Sequence, residues 1–251
     1  MPRIFATQFL RQLASFQSKT SRSSKIDGKL DQTHRREAAP VRRLPTAQVQ
    51  HAVSVLCDAF HDYPVMRYVI GPVDGDYDRR LHTLVSFFVM ARVWREEPIL
   101  GISDGEELVA AATLTLPGKR QPPAEFARLR ASVWRELGEA ARQRYEAFSA
   151  ATQAFDPGRP HHHLSMIGVR QSHLGRGLAR QLLAAVHAMS EEDPASQGVA
   201  LTTENARNVS LYEHFGYRVV GHARVAARLE TWGFFRPRGE TEGRRSAPRG
   251  K

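Results

Sequence analysis

The sequence predicts a mixed α/β fold, and three observations predict it. Apolar residues recur at helical spacing in several segments, most clearly over residues 49–60, 123–153 and 178–189. Short apolar runs bounded by turn residues, at 98–117, 164–169 and 198–203, read as strands. The run at 164–169 passes through a glycine loop directly into an amphipathic helix, and another strand follows, which is the order of an α/β unit.

The elements follow in chain order. The first 25 residues place Phe5, Phe9, Leu13 and Phe16 at helical spacing beside Arg3, Arg11 and Lys19, with no acidic residue before Asp27. Such an acid-poor amphipathic start has two readings, a mitochondrial presequence or a poorly ordered extension of a bacterial protein. Residues 17–45 are polar and low in aliphatics and read as linker. Residues 1–45 are therefore assigned to a basic extension, 46–236 to the folded domain and 237–251 to a basic tail. Thr46 is placed to cap a helix that carries Val49, Ala52, Val53, Leu56, Ala59 and Phe60 on one face. His61-Asp62-Tyr63-Pro64 ends it, a short helical segment runs from Val65 to Ile70, and residues 78–95 are helical again. Residues 98–117 read as a β-hairpin, with Asp104-Gly105 as a type I′ turn signal. One long helix over 123–153 aligns Phe126, Leu129, Val133, Leu137, Ala141, Tyr145 and Phe148, and the DPGRP run at 156–160 breaks it. After the strand at 164–169, a helix presents Leu178, Leu182, Val186 and Met189 to the core. A strand at 198–203, a helix at 206–215 and strands near 217–222 and 224–235 complete the chain.

Composition narrows the class. The chain has 251 residues, enough for one large core. No apolar run approaches the ~20 residues of a membrane span, so no membrane association is expected. Cys57 is the single cysteine, which excludes an intrachain disulfide and points to a reducing, cytoplasmic setting, or a mitochondrial one if the start is a presequence. It sits on an apolar helix and reads as a small core residue. The net charge of +10 is unevenly placed. Residues 1–45 hold ten Lys/Arg against three Asp/Glu and residues 236–251 six against two, which leaves the segment between them at −1. The folded part is thus nearly neutral, and no specific nucleic-acid binding is expected.

Between strand and helix, Gly175, Arg176, Gly177 and Leu178 occupy the place where free backbone N–H groups meet the positive end of a helix dipole. That arrangement binds a phosphate or pyrophosphate. The dinucleotide fingerprint fails on spacing, because Arg180 stands where its third small residue belongs, and the Gly-Lys-Ser/Thr of a nucleotide-hydrolase loop is absent. Ser165 and Ser172 lack the G-x-S-x-G context of a serine hydrolase. His161, His162 and His163 are adjacent on an extended segment and point apart, so no metal site is expected.

The run from Val169 through LGRGLA at 174–179 resembles the coenzyme A loop of the GNAT superfamily of N-acetyltransferases, V-x-P-x-x-(Q/R)-G-x-G-(I/L)-(G/A). A second block resembles that superfamily's N-x-x-N-x-x-L-Y-E-x-x-G-(F/Y), with Asn205, Asn208, Leu211, Tyr212, Glu213, Gly216 and Tyr217 in order. Ala59-Phe60-His61-Asp62-Tyr63-Pro64 and the helical segment at 123–153 resemble a subgroup that acetylates small molecules and antibiotics. The resemblance implies a mixed, mostly antiparallel sheet flanked by helices, acetyl-coenzyme A as cosubstrate, and transfer to a primary amine by direct attack on the thioester. A small-molecule acceptor is expected, with a protein or peptide acceptor, or a non-catalytic acyl-coenzyme A-binding module, as alternatives. A monomer or homodimer is expected.

The resemblance also implies residue roles. Leu174, Gly175, Arg176, Gly177, Leu178 and Ala179 would hold the pyrophosphate, and the backbone of Ile167, Gly168 and Val169 would pair with the pantetheine amides. Tyr212 would protonate the departing thiolate, a sensible match because both groups titrate above neutral pH. Asn205 would fix the strand–helix corner or touch pantetheine. Glu204 is the first candidate for general base, with His163 and Asp62 as others. The chain departs from the pattern at Gln171, where proline is usual, and at Leu174, where Gln or Arg is usual. Main-chain N–H groups supply most of the expected hold on a pyrophosphate, so binding is expected to survive that departure.

Overall fold

The computed structural model describes residues 40–73, 75–118 and 121–239. The chain divides into two units, Met1–Glu37 and Ala38–Lys251. The amphipathic start and the last twelve residues lie outside the described residues. The described residues of the second unit form seven strands: β1 (Arg42–Arg43), β2 (Ile99–Asp104), β3 (Glu107–Thr115), β4 (His162–Val169), β5 (Gly198–Thr203), β6 (Arg218–Ala226) and β7 (Leu229–Pro237). Its helices are α1 (Val49–Phe60), α2 (Pro64–Ile70), α3 (Tyr77–Val93), α4 (Ala124–Leu137), α5 (Glu139–Gln153), α6 (Leu178–Glu192) and α7 (Arg207–His214). The strands form one sheet in the order β1-β2-β3-β4-β5-β7-β6. Only β4 and β5 pair in parallel, because α6 carries the chain back between them; every other pair is antiparallel. The expected mixed, mostly antiparallel sheet is the one observed.

Each face of the sheet carries its own core. On one, α1 to α5 bury Ala52, Val53, Leu56, Leu84 and Leu137 against Ala111 and Met166. On the other, α6 and α7 bury Leu178, Leu182, Val186 and Tyr212 against Ile102, Leu114 and Phe234. Each fully buried aliphatic side chain is worth about 1.5–3 kcal/mol, so these two layers fix the register of the sheet between them. Gly168 lets the first layer close. A Cβ there would lie 2.6 Å from Ala59 Cβ and 3.2 Å from Leu56 Cδ2 on α1.

Five local expectations are corrected. Thr46 opens a short 3₁₀ turn, and α1 begins at Val49 behind Gln48. The hairpin turn places Gly105 (φ 62°) and Glu106 at its centre, and only the glycine takes a positive φ. That is the pattern of a type II′ turn, not the I′ form that Asp104-Gly105 suggests. The helix over 123–153 is two helices, because Gly138 (φ 85°) accepts a conformation outside the α region. The final strands meet at Ala227-Arg228, so β6 runs four residues further than its expected end near 222. Finally, Arg42 and Arg43 pair with Gly101 and Leu100, and Leu44 is buried, so residues assigned to the extension belong to the sheet edge. At the other end Pro237 completes β7, and the Gly239 N–H donates to Glu191.

One contact ties the helical layer to the far edge of the sheet. Gly221 of β6 and Gly233 of β7 are partners in register, and Phe155, just beyond α5, fills the notch they leave. A Cβ on Gly221 would stand 2.0 Å from the Phe155 ring, and one on Gly233 2.5 Å from Phe155 Cβ.

Candidate active site

The site begins where two neighbouring strands part. β4 and β5 pair only through His162↔Val199, His163↔Ala200 and Leu164↔Leu201. Beyond Leu164, β4 remains paired with β3 through a register shift opposite Thr113/Leu114 that leaves Ser165 as the extra residue. The bulge reverses the pleat: Leu164 packs in the α6 layer and Met166 in the opposite one. It also turns β4 away from β5. The Arg170 N–H donates to Val109 O at 2.8 Å. Antiparallel alternation then commits the backbone groups of Gly168 and Met166 to β3 and sends those of Ile167 and Val169 into the gap. The backbone of Ile167 and Val169 is thus open to an incoming polar chain, whereas Gly168 serves β3 and the close approach of α1.

At the wide end of the gap lies the glycine loop. Gly175 and Gly177 take φ of 77° and 76°, and nothing lies within 4 Å of a Cβ at either. The glycines are needed for backbone conformation, since the space around them is open. Gly177 caps α6, no side chain caps the helix, and the N–H groups of Leu178 and Ala179 have no partner inside it. Other elements hold the loop in place. The Gln171 N–H donates to Asp58 Oδ2 on α1 at 2.7 Å. Asp104 of the β2–β3 hairpin draws in His173 (3.4 Å) and Arg176 (3.3 Å). Leu174 is 58% exposed beside the glycines and occupies no core position. Free N–H groups, open space and the helix dipole together fit a pyrophosphate.

At the narrow end the gap opens into a cavity of about 630 Å³, which Tyr212, Glu204 and Ile167 line. Glu204, at the end of β5, is buried and accepts a hydrogen bond from Thr231 Oγ1 (2.8 Å). Burial pushes its carboxyl up to about 7, against a smaller downward pull from Thr231. The Glu204 N–H donates to Tyr63 Oη (3.1 Å), and Tyr63 Oη also lies 2.9 Å from Thr203 Oγ1. Asn208 Nδ2 donates to the same Thr203 oxygen at 3.2 Å. Tyr212 packs edge-on to Tyr217 at 5.7 Å between ring centroids and beside Phe234 at 5.5 Å. Burial, then the nearby Glu204 charge, raises its phenol to about 12, so it keeps its proton at neutral pH.

The sequence-selected residues thus divide. Tyr212, Glu204 and Ile167 meet at one cavity, with the loop residues 174–179 at the other end of the cleft. His163 also lines the cavity; burial, then the Arg92 charge, lowers it to about 4, and it is neutral at pH 7. Asp62 is held outside by Arg67 and His61, on the exposed surface. Asn205 accepts the Arg207 N–H at 3.1 Å, a turn that starts α7. His162 turns to the opposite side and bonds Ser196 at 3.0 Å. Cys57 packs against the helical core, and burial pushes its thiol up to about 12, which leaves it inert. Sequence reasoning missed Tyr63 as a partner of Glu204, although it stands in the His61–Pro64 element. It also missed Arg92, which lines the cavity and donates from Nη2 to Ser165 Oγ at 2.5 Å.

Comparison with known proteins agrees with this geometry. Residues 140–232 match the family described as an acetyltransferase (GNAT) domain, a span that holds the glycine loop, Glu204 and Tyr212. The fold is similar to that of a Corynebacterium glutamicum ATCC 13032 protein described as histone acetyltransferase HPA2 and related acetyltransferase. The TM-score is 0.62 at 19% identity, over 81% of this chain and 98% of that one. It is also similar to a Drosophila melanogaster polyamine N-acetyltransferase that forms N-acetylagmatine (TM-score 0.54, 18% identity, 78% and 97% covered). A variant of agmatine N-acetyltransferase aligns with a TM-score of 0.53 at 18% identity, over 78% and 96%. The splayed strands, the glycine loop and both sequence blocks stand where a GNAT-like fold places them, and the segment that carries the loop, Glu204 and Tyr212 is the one that matches the GNAT acetyltransferase domain.

Proposed function

We propose that the protein transfers the acetyl group of acetyl-coenzyme A to a primary amine of a small molecule. The observation that carries the reading is that the gap between β4 and β5 leads from the glycine loop into one cavity where Tyr212 and Glu204 meet. The loop N–H groups hold the pyrophosphate, and the backbone of Ile167 and Val169 pairs with the pantetheine arm. Glu204, near 7, accepts a proton from the acceptor ammonium. As the amide bond forms and the carbon–sulfur bond breaks, Tyr212 gives its proton to the sulfur. The nitrogen loses two protons in all; one replaces that of Tyr212 and the other leaves to solvent through Glu204.

A small acceptor is favoured because α5 and Phe155 line the cavity together with the strands and narrow the room for a long chain. A peptide would need an open groove there. The test is release of free thiol from acetyl-coenzyme A across a panel of small amines and peptide N-termini. Release with small amines supports the reading, release with peptides alone moves the acceptor to proteins, and binding without release makes the chain a coenzyme-binding module.

A further inference from the structure

The cavity has two chemically different ends. Glu204 stands three residues past Leu201 on β5, and Ser165 one residue past its partner Leu164 on β4. They are therefore two residues apart along the strand direction, roughly 7 Å. At the Ser165 end stands Arg92, the cationic side chain among the described residues that line the cavity. Its side chain is only 17% exposed. Nη2 donates to Ser165 Oγ, and the buried Nε has no hydrogen-bond partner. Glu97 lies 3.7 Å from that Nε and does not line the cavity, so Arg92 is the member of this ion pair that the cavity meets. The other acid near this end, Asp156, accepts the Gly158 N–H from its own loop. Aromatic rings, among them Phe60, Phe88 and Tyr145, form much of the wall between the ends.

A largely buried guanidinium on a cavity wall attracts an anion, and a carboxylate matches its fork. The same charge disfavours a second ammonium. We infer that the acetyl acceptor is an amine whose far end bears a carboxylate, with the amine at Glu204 and the carboxylate at Arg92 and Ser165, some five or six carbons away. This rests on the acetyltransferase reading above and sets the chain apart from enzymes that take polyamines, whose second group is cationic.

The test compares three amines of one length on the full chain: 6-aminohexanoate, hexylamine and 1,6-diaminohexane. The expected result is a kcat/KM for 6-aminohexanoate about ten- to a hundredfold above the other two, as a charge-assisted pair warrants. Arg92→Lys, which keeps the charge opposite Glu97 but loses the fork, and Ser165→Ala should each reduce that preference severalfold to tenfold. Coenzyme binding, measured separately, reports that the variants are folded. Equal rates, a preference for the diamine, or a preference that survives both substitutions would overturn the inference while leaving the acetyltransferase reading intact. If no amine is turned over, that reading fails, and calorimetry with 6-acetamidohexanoate and N-hexylacetamide still decides this one. Tighter binding of the carboxylate, lost in Arg92→Lys, supports it; equal or weaker binding overturns it.

Discussion

Tyr63 and Glu204, 141 residues apart, meet at the wall of the cavity, where the Glu204 N–H donates to Tyr63 Oη. The same phenol lies 2.9 Å from Thr203 Oγ1, so one side chain from the α1–α2 joint fixes the last turn of β5. Glu204 is thereby held by its backbone as well as by Thr231. Tyr63→Phe is expected to lower stability by about 1–3 kcal/mol, because it leaves a buried N–H unpaired. It should also lower kcat about tenfold through the freed carboxylate. Thermal melts and steady-state kinetics check the two parts, and a loss in stability with unchanged kcat would make Tyr63 a purely structural residue.

Tyr212→Phe removes one hydroxyl and leaves the ring among Tyr217 and Phe234. It should reduce kcat about 10²–10⁴-fold with little change in coenzyme affinity, as loss of a general acid does. Calorimetry with coenzyme A and single-turnover rates separate the two effects. An unchanged rate would return Tyr212 to a packing role.

Glu204 titrates near 7 in the folded protein against an ordinary 4.5, because burial favours its neutral form. The folded state therefore keeps a proton that the unfolded chain releases. The associated stability is whole below pH 4.5 and is lost as pH rises to about 7. Glu204→Gln should gain on the wild type by about 3 kcal/mol between pH 5 and pH 8. The same substitution should remove the acidic limb of the kcat/KM profile near pH 7 and lower the plateau about 10²-fold. Denaturant melts at a series of pH values, with rates beside them, test both. Parallel stability curves for the two proteins would refute the burial argument.

Leu174 stands exposed beside Gly175 where the superfamily's loop carries Gln or Arg. Leu174→Gln should tighten acetyl-coenzyme A binding by about three- to tenfold, one added hydrogen bond's worth. The wild type should still bind at micromolar levels through the N–H groups of the α6 start. Calorimetry of the two proteins decides it, and a wild type that binds only once glutamine is restored would be a lapsed enzyme.

Removal of residues 1–39 should leave the melting behaviour of the remaining chain unchanged. Removal through residue 45 takes away β1 and the buried Leu44, at about 2 kcal/mol for the side chain alone. Two trimmed proteins and one denaturation series distinguish the boundaries.

What the sequence made legible is what a local backbone demands. Gly175 and Gly177 need left-handed φ, and the α6 face repeats at helical spacing, so the loop was found where it stands. Gly138 escaped notice because Leu137 and Ala141, both buried, keep helical spacing across it. The apolar stripe stays in phase while the backbone breaks. The edge strand at Arg42–Arg43 carries only charged, exposed side chains, so no apolar pattern marks it. The partners of Glu204 and Arg92 were illegible for another reason. Tyr63, Thr231 and Ser165 reach them from 141, 27 and 73 residues away, and only the assembled sheet brings them together.

The seat of Phe155 has a consequence in time. A chain made from its N-terminus completes the glycine loop and α6 by residue 192, yet the notch that receives Phe155 does not exist until Gly221 and Gly233 have emerged and paired. The glycine-loop end of the cleft is thus finished well before the cavity has the last of its lining in place. A ribosome-bound chain that stops short of residue 233 holds a glycine loop beside an unfinished pocket, and the last ribbon of the sheet completes the seat of Phe155 at the wall of that pocket.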